Sequence, residues 1–265
     1  MDSKIPKPVQ PLLVAYVTFL EKEVPGLVTG LYLHGSLALD AFDARHSDVD
    51  YIAVVSRRCT AHDVERLTAL HQMLAQSYPR PLFEGSYLQW SDLGQCEEAI
   101  EPFPFVHDGI LHQSGHFEVN PVTWWLLKHR GLALAGPAPK ELNFTVEPHT
   151  LLAWMQQNLN TYWVQFIRNP ARMAWLFTDY GVQWAVLGVL RQYYTFQEQD
   201  IISKIGAGDY ALQHLPQRWR RLIQEAINLR TQTDGSLYKF RVQRAAEAVL
   251  FLHYVIQECN RRLAH

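Results

Sequence analysis

The sequence predicts an α+β chain: a small mixed β-sheet with flanking helices, followed by an all-helical C-terminal domain. Three observations predict it. Short apolar runs at 27–33, 49–55 and 82–90, β-branched in part, read as strands with helical or turn segments between them. After about Glu147 strand signals stop, and long helical patterns run through 151–166, 171–194, 217–230 and 238–263. The change falls near Pro148, just after the Gly136-Pro137-Ala138-Pro139 turn, which sets the expected domains at 1–147 and 148–265.

Taken in order, residues 9–24 carry apolar side chains at Leu12, Leu13, Tyr16, Val17, Phe19 and Leu20, a helical recurrence with Pro11 in the first turn and Pro25-Gly26 closing it. Leu27–Leu33 is a buried strand that stops at His34-Gly35-Ser36, after which Leu37-Ala38-Leu39 favours a helical turn. Val49–Val55 is the second strand. Val64, Leu67, Leu70, Met73 and Leu74 mark a helix over 62–78, ended by Pro79-Arg80-Pro81, and 82–90 is the third strand. From Ser91 to Pro121 the prolines and glycines break any period, and the segment reads as irregular: functional, or holding short elements with no legible pattern. Residues 122–129 look helical, and 131–134 look like a short strand.

The 265 residues are 48% hydrophobic and 19% charged, a globular composition with ample material for a packed core. A net charge of -2 gives no global field to attract nucleic acid. No apolar run is long enough to cross a bilayer, and Met1–Pro8 lacks the apolar core of a secretory signal. Cys59, Cys96 and Cys259 are odd in number and far apart, which suits reduced thiols in a cytoplasmic protein. The expectation is therefore no membrane and no nucleic-acid partner, with the chain a monomer or weak homodimer.

The chemistry concentrates in His34-Gly35-Ser36, then, after an interval of eleven residues, Asp48-Val49-Asp50 opening the second strand. Strand side chains alternate, so Asp48 and Asp50 point one way while Val49 enters the core. Two carboxylates held side by side repel, and a hard divalent ion such as magnesium relieves that cost. Gly35 permits close backbone approach, and Ser36 offers a hydroxyl and an amide to phosphate where a turn enters a helix. Phosphoryl and nucleotidyl transfer needs this kind of positioning and charge neutralisation more than covalent chemistry. A third carboxylate belongs on a neighbouring strand, to ligate metal or take an acceptor's proton, and Glu84 is the natural candidate.

Gly35-Ser36 followed by Asp48-x-Asp50 resembles the signature of the polymerase β-like nucleotidyltransferase superfamily. The second half narrows the resemblance. Leu190-Arg191 through Thr195, Ile201–Lys204, and Ala207–Leu212 followed by Leu215-Pro216 are similar to the helical domain of streptomycin/spectinomycin (aminoglycoside) adenylyltransferases. Gly136-Pro137 with Glu141-Leu142 is similar to that family's interdomain region. The resemblance implies Asp48 and Asp50 as metal ligands, Gly35-Ser36 as the triphosphate turn, Glu84 as general base, and Lys204 and Arg191 as residues reaching the nucleotide phosphates. It implies Mg2+ as cofactor and ATP as co-substrate, with AMP passing to a hydroxyl of a small, antibiotic-like acceptor and pyrophosphate released. The family's acidic and tryptophan positions that hold the drug are not matched. Where acceptor carboxylates are expected the chain reads Trp175–Trp184, which offers Asp179 as the acceptor contact. The alternatives are a nucleotidyltransferase acting on a protein or RNA end, or a non-catalytic nucleotide-binding protein of the same fold.

Other features read as structural. His112 and His116 have helical metal-ligand spacing, but Gln-Ser-Gly between them makes a poor helix. His107 and Asp108 read as solvated loop residues, the tryptophans as packing, and Arg218, Arg220 and Arg221 as a solvated helix face.

Overall fold

The computed structural model describes residues 4–233 and 235–263. The chain divides into two compact units, Met1–Val146 and Glu147–His265. The first unit holds a mixed sheet of six strands: β1 (Val28–Leu33), β2 (Val49–Val55), β3 (Phe83–Gln89), β4 (Phe103–His107), β5 (Ile110–Gly115) and β6 (Leu132–Ala135). Their order is β5-β4-β3-β2-β1-β6. Among the described residues only β2 and β3 run parallel; the other neighbours are antiparallel. The parallel pair is joined by the crossover helix α3 (Ala61–Ser77) that such a connection requires, while α1 (Gln10–Glu23), α2 (Gly35–Ala38) and α4 (Pro121–Arg130) complete the unit.

Alternation along β2 divides the core. Tyr51, Ala53 and Val55 pack with α1 and α3 residues such as Leu13, Tyr16, Leu67 and Leu70, whereas Ile52 and Val54 pack with Tyr32, Leu88, Trp124 and Leu127. The first face also buries hydroxyls. Tyr16 and Tyr87 share a hydrogen bond of 2.9 Å, and His71 Nε2 lies 2.7 Å from the Tyr87 hydroxyl and 3.2 Å from that of Tyr51. Burial depresses the His71 imidazole to a pKa of about 3, so it is neutral in the folded protein. α3 opens with a reciprocal cap: the Thr60 side chain accepts from the Asp63 amide, and the Asp63 carboxylate accepts from the Thr60 amide.

The segment 91–121 holds the short elements that the sequence left unplaced. It contains the β4–β5 hairpin, turned by Asp108 and Gly109 at φ 51° and 72°, the left-handed pair a two-residue hairpin needs. Pro102, Pro104 and the glycines hid the alternation, although Asp-Gly is itself a strong hairpin signal.

The second unit is all-helical. It comprises α5 (Pro148–Asn158), a π-helical turn at Leu159–Trp163, α6 (Val164–Arg168), α7 (Pro170–Ala174), α8 (Asp179–Glu198), α9 (Lys204–His214), α10 (Arg220–Thr231) and α11 (Arg241–Leu263). Leu187, Leu190, Ala207, Ile223, Ala226, Phe251 and Val255 are among the residues of its core. Two differences from the expected helices stand out. The pattern over 171–194 is interrupted at Thr178, whose side chain accepts from the Gly181 amide and starts α8 afresh. α9 has no counterpart among the expected helices, because Gly206 and Gly208 dilute its apolar period. Both glycines are closely packed: a Cβ on Gly208 would sit 2.8 Å from Ile227. Among the described residues no helix is long and apolar enough to cross a membrane.

Candidate active site

The Gly-Ser turn and the acidic strand meet at the ends of β1 and β2. The strands are antiparallel, with Leu33 opposite Tyr51, and the His34 amide continues the ladder to the Asp50 carbonyl at 3.0 Å. Gly35 follows at φ 60°, and a Cβ there would lie 1.7 Å from Asp50 Oδ2. The glycine is thus required twice: by a left-handed backbone and by a carboxylate that occupies the space of its side chain. Ser36 begins the turn of α2, and its Oγ is buried with no hydrogen-bond partner among the described residues.

The interval between the two motif halves is held by Asp43. Its carboxylate accepts from the Arg45 amide at 3.0 Å and pairs with the Arg45 guanidinium, its carbonyl accepts from Ser47, and its amide donates to Ser47 Oγ. Hydrogen bonds from Arg45 hold the Asp43 carboxyl far below the usual carboxylate range. These bonds order the approach to Asp48, which lies just ahead of β2 with Arg80 at 3.9 Å.

Glu84 stands beside Asp50 because β2 and β3 are parallel and in register, Asp50 opposite Glu84. Both side chains therefore project from the same sheet face. Glu84 is 8% exposed. Burial, and then the charge of Asp48, push its pKa up, while a hydrogen bond of 2.8 Å from the Asp108 amide to Oε1 opposes them. A carboxyl so balanced between desolvation and a donor is suited to exchanging a proton.

The hairpin tip adds what the sequence reading set aside. His107 and Asp108 reach Glu84, and ligand atoms of the three lie within 4.8 Å of one another, as no other group of three potential ligands does among the described residues. The Asp48–Asp50 pair is not part of that group. His107 packs on Phe117 at 4.9 Å, so the tip is anchored. By contrast His112 stacks on Phe105 and His116 hydrogen-bonds the Ile100 carbonyl, consistent with structural roles.

In the helical unit, Arg191 of α8 donates from Nε to the Ile202 carbonyl at 3.0 Å. That bond brings it to the loop from which Lys204 starts α9, capped by Ser203. Arg191 is therefore tied to the backbone two residues ahead of Lys204. Asp179 is not with them: it opens α8, about 18 Å from Arg191 along the helix. It is bound to Arg244 at 2.6 Å, with Arg241 at 3.7 Å. Arg244, 2% exposed, also pairs with the fully buried Glu225 at 2.9 Å, and Glu225 accepts from Ser236 Oγ and the Leu237 amide. Asp179 thus has a structural partner that the sequence did not reveal.

Residues 154–258 match the family model of the aminoglycoside adenylyltransferase C-terminal domain. No curated protein sequence matches the chain. Among solved structures, spectinomycin adenyltransferase AAD(9) from Enterococcus faecialis, determined with ATP and spectinomycin, matches at TM-score 0.71 and 15% identity, over 95% of this chain and 99% of that one. By sequence over most of its helical unit, and by fold over nearly its whole length, the chain resembles the aminoglycoside adenylyltransferases, a resemblance that supports a nucleotidyltransferase.

Proposed function

We propose that the protein is a magnesium-dependent adenylyltransferase that moves AMP from ATP to a hydroxyl of an aminoglycoside-like antibiotic, releasing pyrophosphate. The observation that carries the proposal is the nesting of Gly35 against the Asp50 carboxylate, with Glu84 in register beside it. The structural relative that holds ATP and spectinomycin supports the choice of nucleotide and acceptor class.

The residues present fit a magnesium ion. Asp50 and Glu84 share a face, Asp48 is close enough to raise the Glu84 pKa, and the orphaned Ser36 hydroxyl is a donor awaiting an acceptor. Asp48 and Asp50 would hold the ion, which when bound neutralises charge on the triphosphate and its departing oxygens. The Gly35-Ser36 turn receives triphosphate oxygens, Ser36 through its hydroxyl and amide. Arg191 and Lys204 supply positive charge to the phosphates. The acceptor hydroxyl oxygen forms a bond to the α-phosphorus as the bond to the pyrophosphate oxygen breaks, and the hydroxyl proton passes to Glu84. Asp179 keeps a weaker claim as acceptor contact, because Arg244 already engages its carboxylate.

Incubation with Mg-ATP and a panel of aminoglycosides and aminocyclitols, with pyrophosphate release measured, tests the proposal. Release dependent on one compound is expected. Silence across the panel with ATP binding intact would move the acceptor away from antibiotics.

A further inference from the structure

We propose that the Asp108-Gly109 turn is a positioning device for Glu84, its left-handed backbone holding the Asp108 amide on Oε1 so that Oε2 is directed to the acceptor hydroxyl. The inference rests on the adenylyl-transfer reading above. Three observations carry it. First, the 2.8 Å bond from the Asp108 amide is the one hydrogen bond that reaches the Glu84 carboxylate among the described residues. A carboxylate has three rotatable bonds behind it, so a single fixed donor decides which oxygen faces outward.

Second, the donor is a backbone amide on a rigid support. His107 is paired with Ile110, so only Asp108 and Gly109 make the turn, and both carry positive φ. β4 is antiparallel to β3 with Gly85 opposite Val106, and one step further along that register His107 comes opposite Glu84. The sheet therefore delivers the turn to the carboxylate. Third, the Asp108 side chain is 77% exposed, so its value lies in tolerating the left-handed conformation and presenting its N–H. The rise in the Glu84 pKa from burial is opposed by this same bond, as expected of a donor that stabilises the anion.

The test separates backbone from side chain, and uses Mg-ATP with spectinomycin as the probe acceptor. Asp108→Val places a β-branched residue at positive φ and is expected to lower kcat by about tenfold with little change in KM for ATP. Asp108→Asn and Asp108→Gly accept the same backbone and should restore kcat to within about threefold of the wild type. Gly109→Ala gives a second reading if Asp108→Val folds poorly. Its Cβ has room, 3.7 Å from Leu82, so only the backbone conformation is challenged and kcat should again fall. Undiminished kcat in Asp108→Val and Gly109→Ala, with an active wild type, would overturn the positioning role alone. So would equal losses in Asp108→Val, Asp108→Asn and Asp108→Gly, which would point to the carboxylate instead. A wild type inactive on every acceptor would overturn the adenylyl-transfer reading itself, and the positioning role with it.

Discussion

Replacing Gly35 by alanine tests the geometry on which the candidate site depends. Two costs act together. At φ 60° an L-residue is in the left-handed region, a penalty of about 1–2 kcal/mol. The new Cβ would also begin 1.7 Å from Asp50 Oδ2, so the oxygen must retreat by about 1.3 Å merely to reach a 3.0 Å contact. A displacement of about 1 Å in a catalytic group costs roughly 100-fold in rate. Gly26 supplies the control, since it has φ 71° with nothing within 4 Å of its ideal Cβ.

Gly26→Ala should therefore carry the backbone penalty alone. Gly26→Ala is expected to lose about 1–2 kcal/mol in urea unfolding and Gly35→Ala more than that, while only Gly35→Ala loses adenylyl transfer, by about two orders of magnitude. The assay is pyrophosphate release with Mg-ATP and the acceptor that supports the wild type. Full turnover in Gly35→Ala would refute the reasoning, because it would mean that the Asp50 carboxylate need not stay where the turn places it.

Asp50→Asn should abolish turnover by at least about 100-fold while the fold persists; calorimetry and the same release assay check both parts. Arg244→Met removes the cation between Glu225 and Asp179 and leaves a buried carboxylate short of its charge partner, so a loss of about 3–5 kcal/mol is expected by chemical denaturation. Asp179→Asn, on the half-exposed side of that network, should cost less than about 1 kcal/mol; a larger effect on acceptor KM than on stability would restore it as an acceptor contact. Acid should destabilise the first unit through His71. Its folded pKa of about 3 lies below an unfolded value of about 6.5, so its contribution is complete above pH 6.5 and is lost as pH falls toward 3. At pH 5 that loss is about 2 kcal/mol, and His71→Gln should show a correspondingly shallower decline in urea titrations. The buried His34, lowered to about 4, acts in the same direction and contributes to the residual slope.

Much of the first unit was legible because its signals are local. The apolar runs that form β1, β2 and β3, the helical period of α1 and α3, and the Gly-Ser turn ahead of Asp-Val-Asp all follow from backbone periodicity within a few residues. The β4–β5 hairpin was missed where prolines obscured a period of two, although Asp108-Gly109 announced its turn. α9 was missed because close packing of Gly206 and Gly208, rather than an apolar stripe, holds it.

The candidate site divides in the same way. The sequence alone nominated the residues proposed to carry the chemistry, Gly35, Ser36, Asp48, Asp50 and Glu84, because strand alternation and turn chemistry constrain neighbours in the chain. Tertiary structure decided their relations. Parallel register sets Glu84 opposite Asp50, antiparallel pairing brings the Asp108 amide to its carboxylate, and helix packing gives Asp179 to Arg244. Those contacts join residues 24 to 65 positions apart, where pairing is chosen by burial of whole faces and no local pattern records the partner.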